Sequence, residues 1–373
     1  MKSVVFFFEL HQPRRLREYR SLDIGKGKGY FWDEKNNEII NRVSDRCYIP
    51  ATQSLIDGNI KATLSVSGVL LENLVRMRED VVDILKEYFR KGGELAAETY
   101  YHSLCSIWSP EEFSFQVNED VRLKKDIFNI KPKTFRNTEM IYNDNIGFMS
   151  AKEGFSNILT EGPDRIISKY NPNYVYRNPA SQNLFLRNYR LSDDISFRFS
   201  NPSWNEYPLY ADKYARWLSE SPGDVINLFM DYETFGEHQW KESGIFEFLK
   251  ALPDEARKRE VEFTTVSEAT KHSPVSEISI EDYISWADYP RDLSAWLSND
   301  MQRDAFEDMK SLSHCNDKKT WRYLQTSDHF YYMSMAGVQD QEVHTYFNPY
   351  GSPYDAYIFY KNIMEDFREK CKS

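Results

Sequence analysis

Short apolar runs that each end in acidic or histidine residues recur along this chain, and they leave few ways to fold it. Val4, Val5, Phe6, Phe7 and Phe8 lead into Glu9, Leu10, His11, Gln12 and Pro13. Residues 225–230 behave alike and give way to Asp231, Tyr232, Glu233, Thr234, Phe235 and Gly236. An unbroken apolar run of this length reads as a strand covered on both faces. Residues 60–67, 94–98, 134–139 and 261–266 repeat the theme, and 156–161 and 173–177 are shorter strand candidates. Helical segments lie between: residues 39–56, residues 68–90 stopped by Gly92 and Gly93, and residues 204–218. Another helix opens at Ser109, Pro110, Glu111 and Glu112 and ends before Pro132. Seven or eight strands alternating with helices predict an α/β fold, either a (β/α) barrel or a doubly wound sheet. From about Pro274 the strand signal fades, and helical segments such as 282–297 and 301–312 take over. The expected organisation is a barrel over residues 1–272 and an α-helical C-terminal region over 273–373.

Net charge is −11, so nothing steers the protein toward nucleic acid or an anionic membrane. The N-terminal apolar run is too short for a signal peptide, and no stretch is long enough to cross a bilayer. Cys47, Cys105, Cys315 and Cys371 have no CxxC spacing, which argues against a zinc knuckle and a disulfide framework. A reducing, cytoplasmic setting is the expectation, and a homo-oligomer stays open. Aromatic residues reach 15% of the chain, more than a core of this size needs, and exposed aromatic faces are what sugar rings stack on.

In a barrel the carboxyl ends of the strands share one rim, where catalytic groups collect. His11, Glu98, Glu139, Asp231 and Glu268 all fall there on this reading. Acids also sit after strands as helix caps and turn residues, so the chemistry has alternatives. Paired carboxylates suit a retaining glycosidase, one as nucleophile and one as proton donor. His11, His102 and an acid could instead hold a metal that activates water, although HExxH is absent. A catalytically silent carbohydrate-binding barrel is the third reading.

Five ordered stretches then narrow the choice. His11, Gln12 and Pro13; Gly93 and Glu94 with residues 97–103 (AETYYHS); Arg136 to Glu139 (RNTE); Asp231 to Gly236 (DYETFG); and residues 264–268 (TTVSE) resemble the sequence regions of glycoside hydrolase family 57. Residues 285–288, 292–296 and 325–332 extend the likeness, which is greatest to the shorter archaeal-type α-amylases of that family. The resemblance implies an incomplete (β/α)7 barrel with a helical C-terminal region, retaining chemistry on α-glucans, and no cofactor. It makes Glu139 the nucleophile and Asp231 the general acid/base. His11 and Glu94 would hold sugar hydroxyls, with Glu98, His102 and His238 nearby and Asp328 as a rim contact from the helical region. Trp286, Trp240 and Tyr331 would be stacking platforms. Arg136 would keep Glu139 ionised, and Glu233 would support the protonated state of Asp231. One departure stands out: many members place a Trp shortly before the nucleophile, where this chain has Arg136, Asn137 and Thr138. A 4-α-glucanotransferase is the nearest rival, and a silent glucan-binding relative and a metal-dependent deacetylase-like hydrolase are the others.

Overall fold

The computed structural model describes residues 1–335 and 348–372. Its strands are β1 (Lys2–Leu10), β2 (Thr63–Val66), β3 (Glu94–Ala96), β4 (Thr134–Arg136), β5 (Asn157–Thr160), β6 (Val175–Arg177), β7 (Asn183–Leu186), β8 (Val225–Asp231) and β9 (Val261–Thr264). β1 is the spine. It pairs in parallel with β8 from Ser3 to Glu9, with β2 over Phe7 to Leu10, and with β9 over Lys2 to Val5. β2 and β9 therefore share one edge of β1, end to end.

From β2 the sheet continues to β3, and a bridge between Ala97 and Phe135 carries it on to β4, β5 and β7. β6 lies antiparallel on β7. The circuit closes between β7 and β8 with few backbone bonds. Arg187 Nε donates to the Phe229 carbonyl (2.7 Å), the Asn227 amide to the Leu186 carbonyl (3.0 Å), and Asn188 N to the Asn227 carbonyl (2.8 Å). Seven parallel strands thus run in the order β8-β1-β2-β3-β4-β5-β7, with a seam stitched mainly by side chains. This is the incomplete α/β barrel that the sequence predicts.

Alternation along the strands sorts the core. Val5, Phe7, Ala96, Leu159, Phe185, Val225 and Phe229 cluster inside the barrel, and Val266 and Ala269 from the short helix Val266–Ala269 join them. Val4, Phe6, Phe8 and Leu10 belong instead to an outer core with Leu64, Ile226 and Leu228. Because side chains alternate with a period of two, the inward register of Val5 and Phe7 carries Glu9 and then His11 to the barrel mouth. The register of Val225 and Phe229 does the same for Asp231.

Several expected elements are broken. Residues 39–56 form α1 (Asp33–Val43) and α2 (Ile49–Asp57) around a π-helical turn, Ser44–Tyr48. Residues 68–90 split into α3 (Gly68–Met77) and α4 (Glu79–Arg90) at Arg78, whose φ of −140° is non-helical. α5 (Pro110–Phe128) starts as predicted, with Ser109 Oγ accepting from Glu112 N, and ends on left-handed Asn129. The 204–218 segment is helical only from Ala211, since Pro208 precedes it and supplies no N–H donor. Of residues 282–297 only Ser294–Leu297 is helical, because Pro290 interrupts a loop that crosses the barrel mouth. β7 was not among the strands expected from the sequence, although it is as long as β5 and β9.

Among the described residues the C-terminal helices share their core with the barrel. Trp296, Phe306, Phe330, Tyr360 and Phe367 share one cluster with Phe135, Ile158 and Leu184 from the barrel strands. Among the described residues no helix is long and apolar enough to cross a membrane.

The cysteine expectation needs correction. Cys315 and Cys371 form a disulfide with Cα atoms 5.2 Å apart, while Cys47 and Cys105 are free and buried. No motif announced the pair, because folding of the helix Pro353–Lys372 back onto Asp300–Ser311 is what joins them. The bridge spans 56 positions, and closing a loop of that size stabilises the fold by about 4 kcal/mol in the chain-entropy account. Replacing both cysteines by serine should lower the unfolding free energy in guanidinium by roughly that amount. An unchanged denaturation midpoint would count against the pairing.

Candidate active site

The strand ends open on a cleft of about 540 Å3. His11, His102, Glu139, Asp231, Glu233, His238, Trp286, Asp328 and Tyr331 all line it. Arg136 and Glu98 lie directly behind this wall, bonded to residues that reach it. Three expected residues lie elsewhere. Glu94 begins β3, at the opposite end of the barrel, where it accepts from Thr63, Thr134 and Ser267. Glu268 caps its own helix and pairs with Lys61, because β9 meets only the first half of β1. Trp240 is 60% exposed on the outer surface.

Glu139 sits just past β4 with a backbone φ of +57°, and His102, just past β3, has a φ of +50°. Left-handed backbone at such residues costs of order 1–3 kcal/mol and persists only where its surroundings over-determine it. Here they do. Thr138 Oγ1 meets Thr99 Oγ1 at 2.6 Å, and the Asn137 amide donates to Ser106 Oγ and to the Ile141 carbonyl, both at 2.9 Å. Trp286 N donates to the Glu139 carbonyl (3.2 Å) and its Nε1 to Glu139 Oε2 (2.8 Å). His102 Nε2 and Ser327 Oγ each lie 3.3 Å from Glu139 Oε1.

Beneath the carboxylate is a buried charge network. Arg136 is gripped by both oxygens of Glu9, and its guanidinium carbon lies 4.7 Å from the centre of the Trp286 ring. His102 Nδ1 faces Glu98 (3.0 Å) and Glu9 (3.2 Å). Burial works to lower the His102 pKa, but Glu9, Glu139 and Glu98 outweigh it and keep the ring protonated. Burial likewise works to raise Glu139, yet the His102 hydrogen bond and charge, with Arg136, leave its pKa below the ordinary value. No Trp stands shortly before Glu139 in sequence, and the aromatic ring against its carboxylate comes from Trp286 on a later loop.

Asp231 is tuned the other way. Burial raises its pKa to about 6, helped by the negative charge of Glu139 and opposed by Arg136, Arg187 and His102. Glu233 is raised further, to about 8, by burial and then by Asp231, while Tyr48 (2.6 Å) and Gln12 (3.2 Å) donate to it. The π-helical turn explains how this loop is held. Cys47 Sγ donates to the Tyr232 carbonyl, Tyr48 reaches Glu233, and Gly236 at φ +112° packs on the Arg46 carbonyl, where a Cβ would come within 2.0 Å. Turns of this kind are frequent at functional sites. Burial lowers His238 to about 4, so it presents a neutral imidazole.

His11 stacks on His102 at 3.8 Å and contacts Asp328 Oδ2 through Nε2 at 3.1 Å. Ligand atoms of His11, His102 and Asp328 lie within 4.8 Å of one another, close enough in distance for a metal ion. The imidazole planes, however, are only 18° from parallel. A metal must lie in the plane of each ring that ligates it, so two face-to-face rings do not converge on one tetrahedral position. The trio fits better as hydrogen-bonding groups.

Several cleft residues went unnoticed in the sequence. Glu9 was legible from strand alternation, two places before His11. Arg187 and Asp193 were not, because they follow the unassigned β7; Arg187 pairs with Asp193 (2.6 Å) and with Glu161 (2.9 Å). Arg15, fully buried, donates to Gln12.

Residues 5–281 match the model of glycosyl hydrolase family 57. The chain belongs to that family. A protein of Methanocaldococcus jannaschii named "Putative alpha-amylase" is 43% identical over 99% of this chain and 85% of its own length. The branching enzyme of Pyrococcus horikoshii, also of family 57, shares the fold with a TM-score of 0.67 at 13% identity, over 93% of this chain and 87% of that one. The 4-alpha-glucanotransferase of Thermococcus litoralis gives 0.61 at 16% identity, where 93% of this chain spans about half (54%) of that chain. The (β/α)7 barrel is thus the fold of a family 57 glycoside hydrolase, and the resemblance read from the five motifs holds.

The opposed tuning of the two carboxylates is directly measurable. In Glu139→Gln the negative charge that helps raise Asp231 is gone, so the Asp231 pKa should fall from about 6 toward its ordinary value. Carboxyl-detected NMR titration of both proteins checks this, and an unmoved Asp231 would show that the two groups are not coupled.

Proposed function

We propose that this enzyme is a retaining hydrolase of α-1,4-glucans, α-amylase-like in its reaction, with Glu139 as nucleophile and Asp231 as general acid/base. One observation carries the reading: two carboxyl groups share one cleft, and their surroundings push their pKa values in opposite directions. Glu139, ionised and oriented by Trp286 and His102, attacks the anomeric carbon of the bound glucan. Asp231 gives its proton to the departing glycosidic oxygen. The C–O bond to the leaving chain breaks as the bond to Glu139 forms, leaving a covalent glycosyl-enzyme. Asp231, now ionised, takes a proton from water, which attacks the same carbon and releases Glu139. Two inversions give net retention.

His11, His238 and Asp328 supply donors and acceptors for sugar hydroxyls around this centre, His102 keeps both ring nitrogens on Glu98, Glu9 and Glu139, and Trp286 and Tyr331 supply ring faces. Glu233 supports Asp231 from behind. Burial and then the neighbouring Asp231 hold it largely neutral against the Tyr48 and Gln12 hydrogen bonds, which favour its ionised form, so it adds little charge while remaining a buried acid beside the proton donor. The α-glucan assignment draws on the name of the M. jannaschii relative and on the motif set, and the written reaction needs no metal.

Glu139→Gln and Asp231→Asn should each reduce turnover of maltooligosaccharides by at least about a thousandfold, the order expected when a catalytic group is removed. Wild-type activity should be unaffected by EDTA. Full activity in Glu139→Gln would sink the assignment, and loss in EDTA would revive a metal mechanism. Products confined to glucose and shorter chains mean hydrolysis, whereas chains longer than the input would make the enzyme a 4-α-glucanotransferase working through the same intermediate.

The pH profile carries an independent sign. Activity needs Asp231 protonated, so it should fall as pH rises through about 6. It needs Glu139 ionised, so it should fall again only below the ordinary glutamate range. The result is a bell on the acid side of neutrality. A profile flat from pH 5 to 9 would rule out Asp231 as the proton donor.

A further inference from the structure

The loop of residues 285–292 is unusually well fastened for a segment that carries a bare aromatic ring. Ser285 N donates to the Arg291 carbonyl (3.1 Å) and Ser285 Oγ to the Asp292 carbonyl (2.7 Å), which closes its neck. Arg165 donates to the carbonyls of Pro290 (2.8 Å) and Arg291 (2.7 Å) from outside. Tyr331 donates to Asp288 from the helical region (3.2 Å), and Asp288 and Arg291 adopt left-handed backbone at φ +54° and +50°. On its inner limb Trp286 is bonded to the Glu139 carboxylate.

At the tip of this fixed loop Tyr289 is 87% exposed, more than any other large apolar or aromatic side chain among the described residues, and it still lines the cleft. A scattered exposed aromatic is ordinary on a protein surface. A ring held out of its own core by a tethered loop, at the mouth of a carbohydrate site, is pre-positioned for a partner that brings an apolar face. It lies three positions along the chain from Trp286, a backbone reach of at most about 11 Å. That keeps it within reach of sugars adjoining the reacting one. Phe197, half-exposed, lines the same cleft and offers a second ring face.

We propose that Tyr289 is a stacking platform for a glucose residue beyond the catalytic pair, so that the loop which orients Glu139 also sets the preferred length of the glucan. This rests on the α-glucan reading above. Three remote features support one role: the pinned neck, the exposed ring and its place on the cleft wall. A rigid platform binds without the ordering cost that a mobile side chain would add.

The test compares kcat/KM on maltoheptaose and maltotriose for the wild type, Tyr289→Ala and Tyr289→Phe. Losing one stacked ring should lower the maltoheptaose-to-maltotriose ratio in Tyr289→Ala by about two- to tenfold, mainly through KM. Tyr289→Phe, which keeps the ring and loses the hydroxyl, should restore the ratio. An equal loss on both sugars in Tyr289→Ala would mean that the residue only shapes the loop, and an unchanged ratio would remove it from substrate binding; either result overturns the proposal. Wild-type turnover of both sugars is read in the same assay, and inactivity on both would fell the α-glucan reading itself, separately from any effect at Tyr289.

Discussion

The grip of Glu9 on Arg136 is the contact on which the rest of the site depends. Both residues are buried, and an arginine taken out of water without a carboxylate opposite it would cost several kcal/mol. Held in this way, the guanidinium presents one face to the Trp286 ring and its charge to Glu139. His102 is the second cation of the same network, wedged between Glu98, Glu9 and Glu139. Two cations under one carboxylate keep that carboxylate ionised. Asp231 across the cleft feels those cations too, but burial and the charge they sustain on Glu139 outweigh them and drive it up. The two pKa displacements are thus coupled through Glu139, although burial is the larger cause at Asp231.

That network exists only because the barrel brings separate strand ends together. Glu9 comes from β1, Glu98 and His102 from the exit of β3, Arg136 and Glu139 from β4 and its exit, and Asp231 from β8. The helical region adds Ser327 and Asp328, and the crossing loop adds Trp286. The shared core between C-terminal helices and barrel strands fixes these late contributions in place. Without that packing Glu139 would lose the Trp286 and Ser327 bonds that hold its left-handed backbone and its carboxylate.

Much of the fold was legible because a buried strand has to be apolar throughout, and β1 and β8 are. The helix starts that carry caps were legible for a local reason as well, as α5 shows with Ser109 and Pro110. Illegible features were those whose cause lies elsewhere in the chain. The π-helical turn at Ser44–Tyr48 exists to meet the Asp231–Gly236 loop, which no local propensity encodes. The break of residues 282–297 from helix into loop comes from Pro290 and from the demands of the barrel mouth. Glu268 was misplaced because strand registry decides which end of the barrel a residue occupies, and registry is a property of pairs of strands, whereas Glu94 was drawn to the cleft by motif likeness although it opens its strand.

Taken alone, the sequence determined the alternation of strands and helices, the acids and histidines at the strand exits, and membership of the family through five ordered motifs. All of these are carried by residue type and spacing along one chain. Tertiary structure decided which acids meet, that Glu9 and Trp286 complete the setting of Glu139, that Glu94 and Trp240 stand apart, and that Cys315 pairs with Cys371. It also decided the charge states. The pKa of a carboxyl group is set by its desolvation and by the charges around it, and neither is defined until the chain has closed on itself.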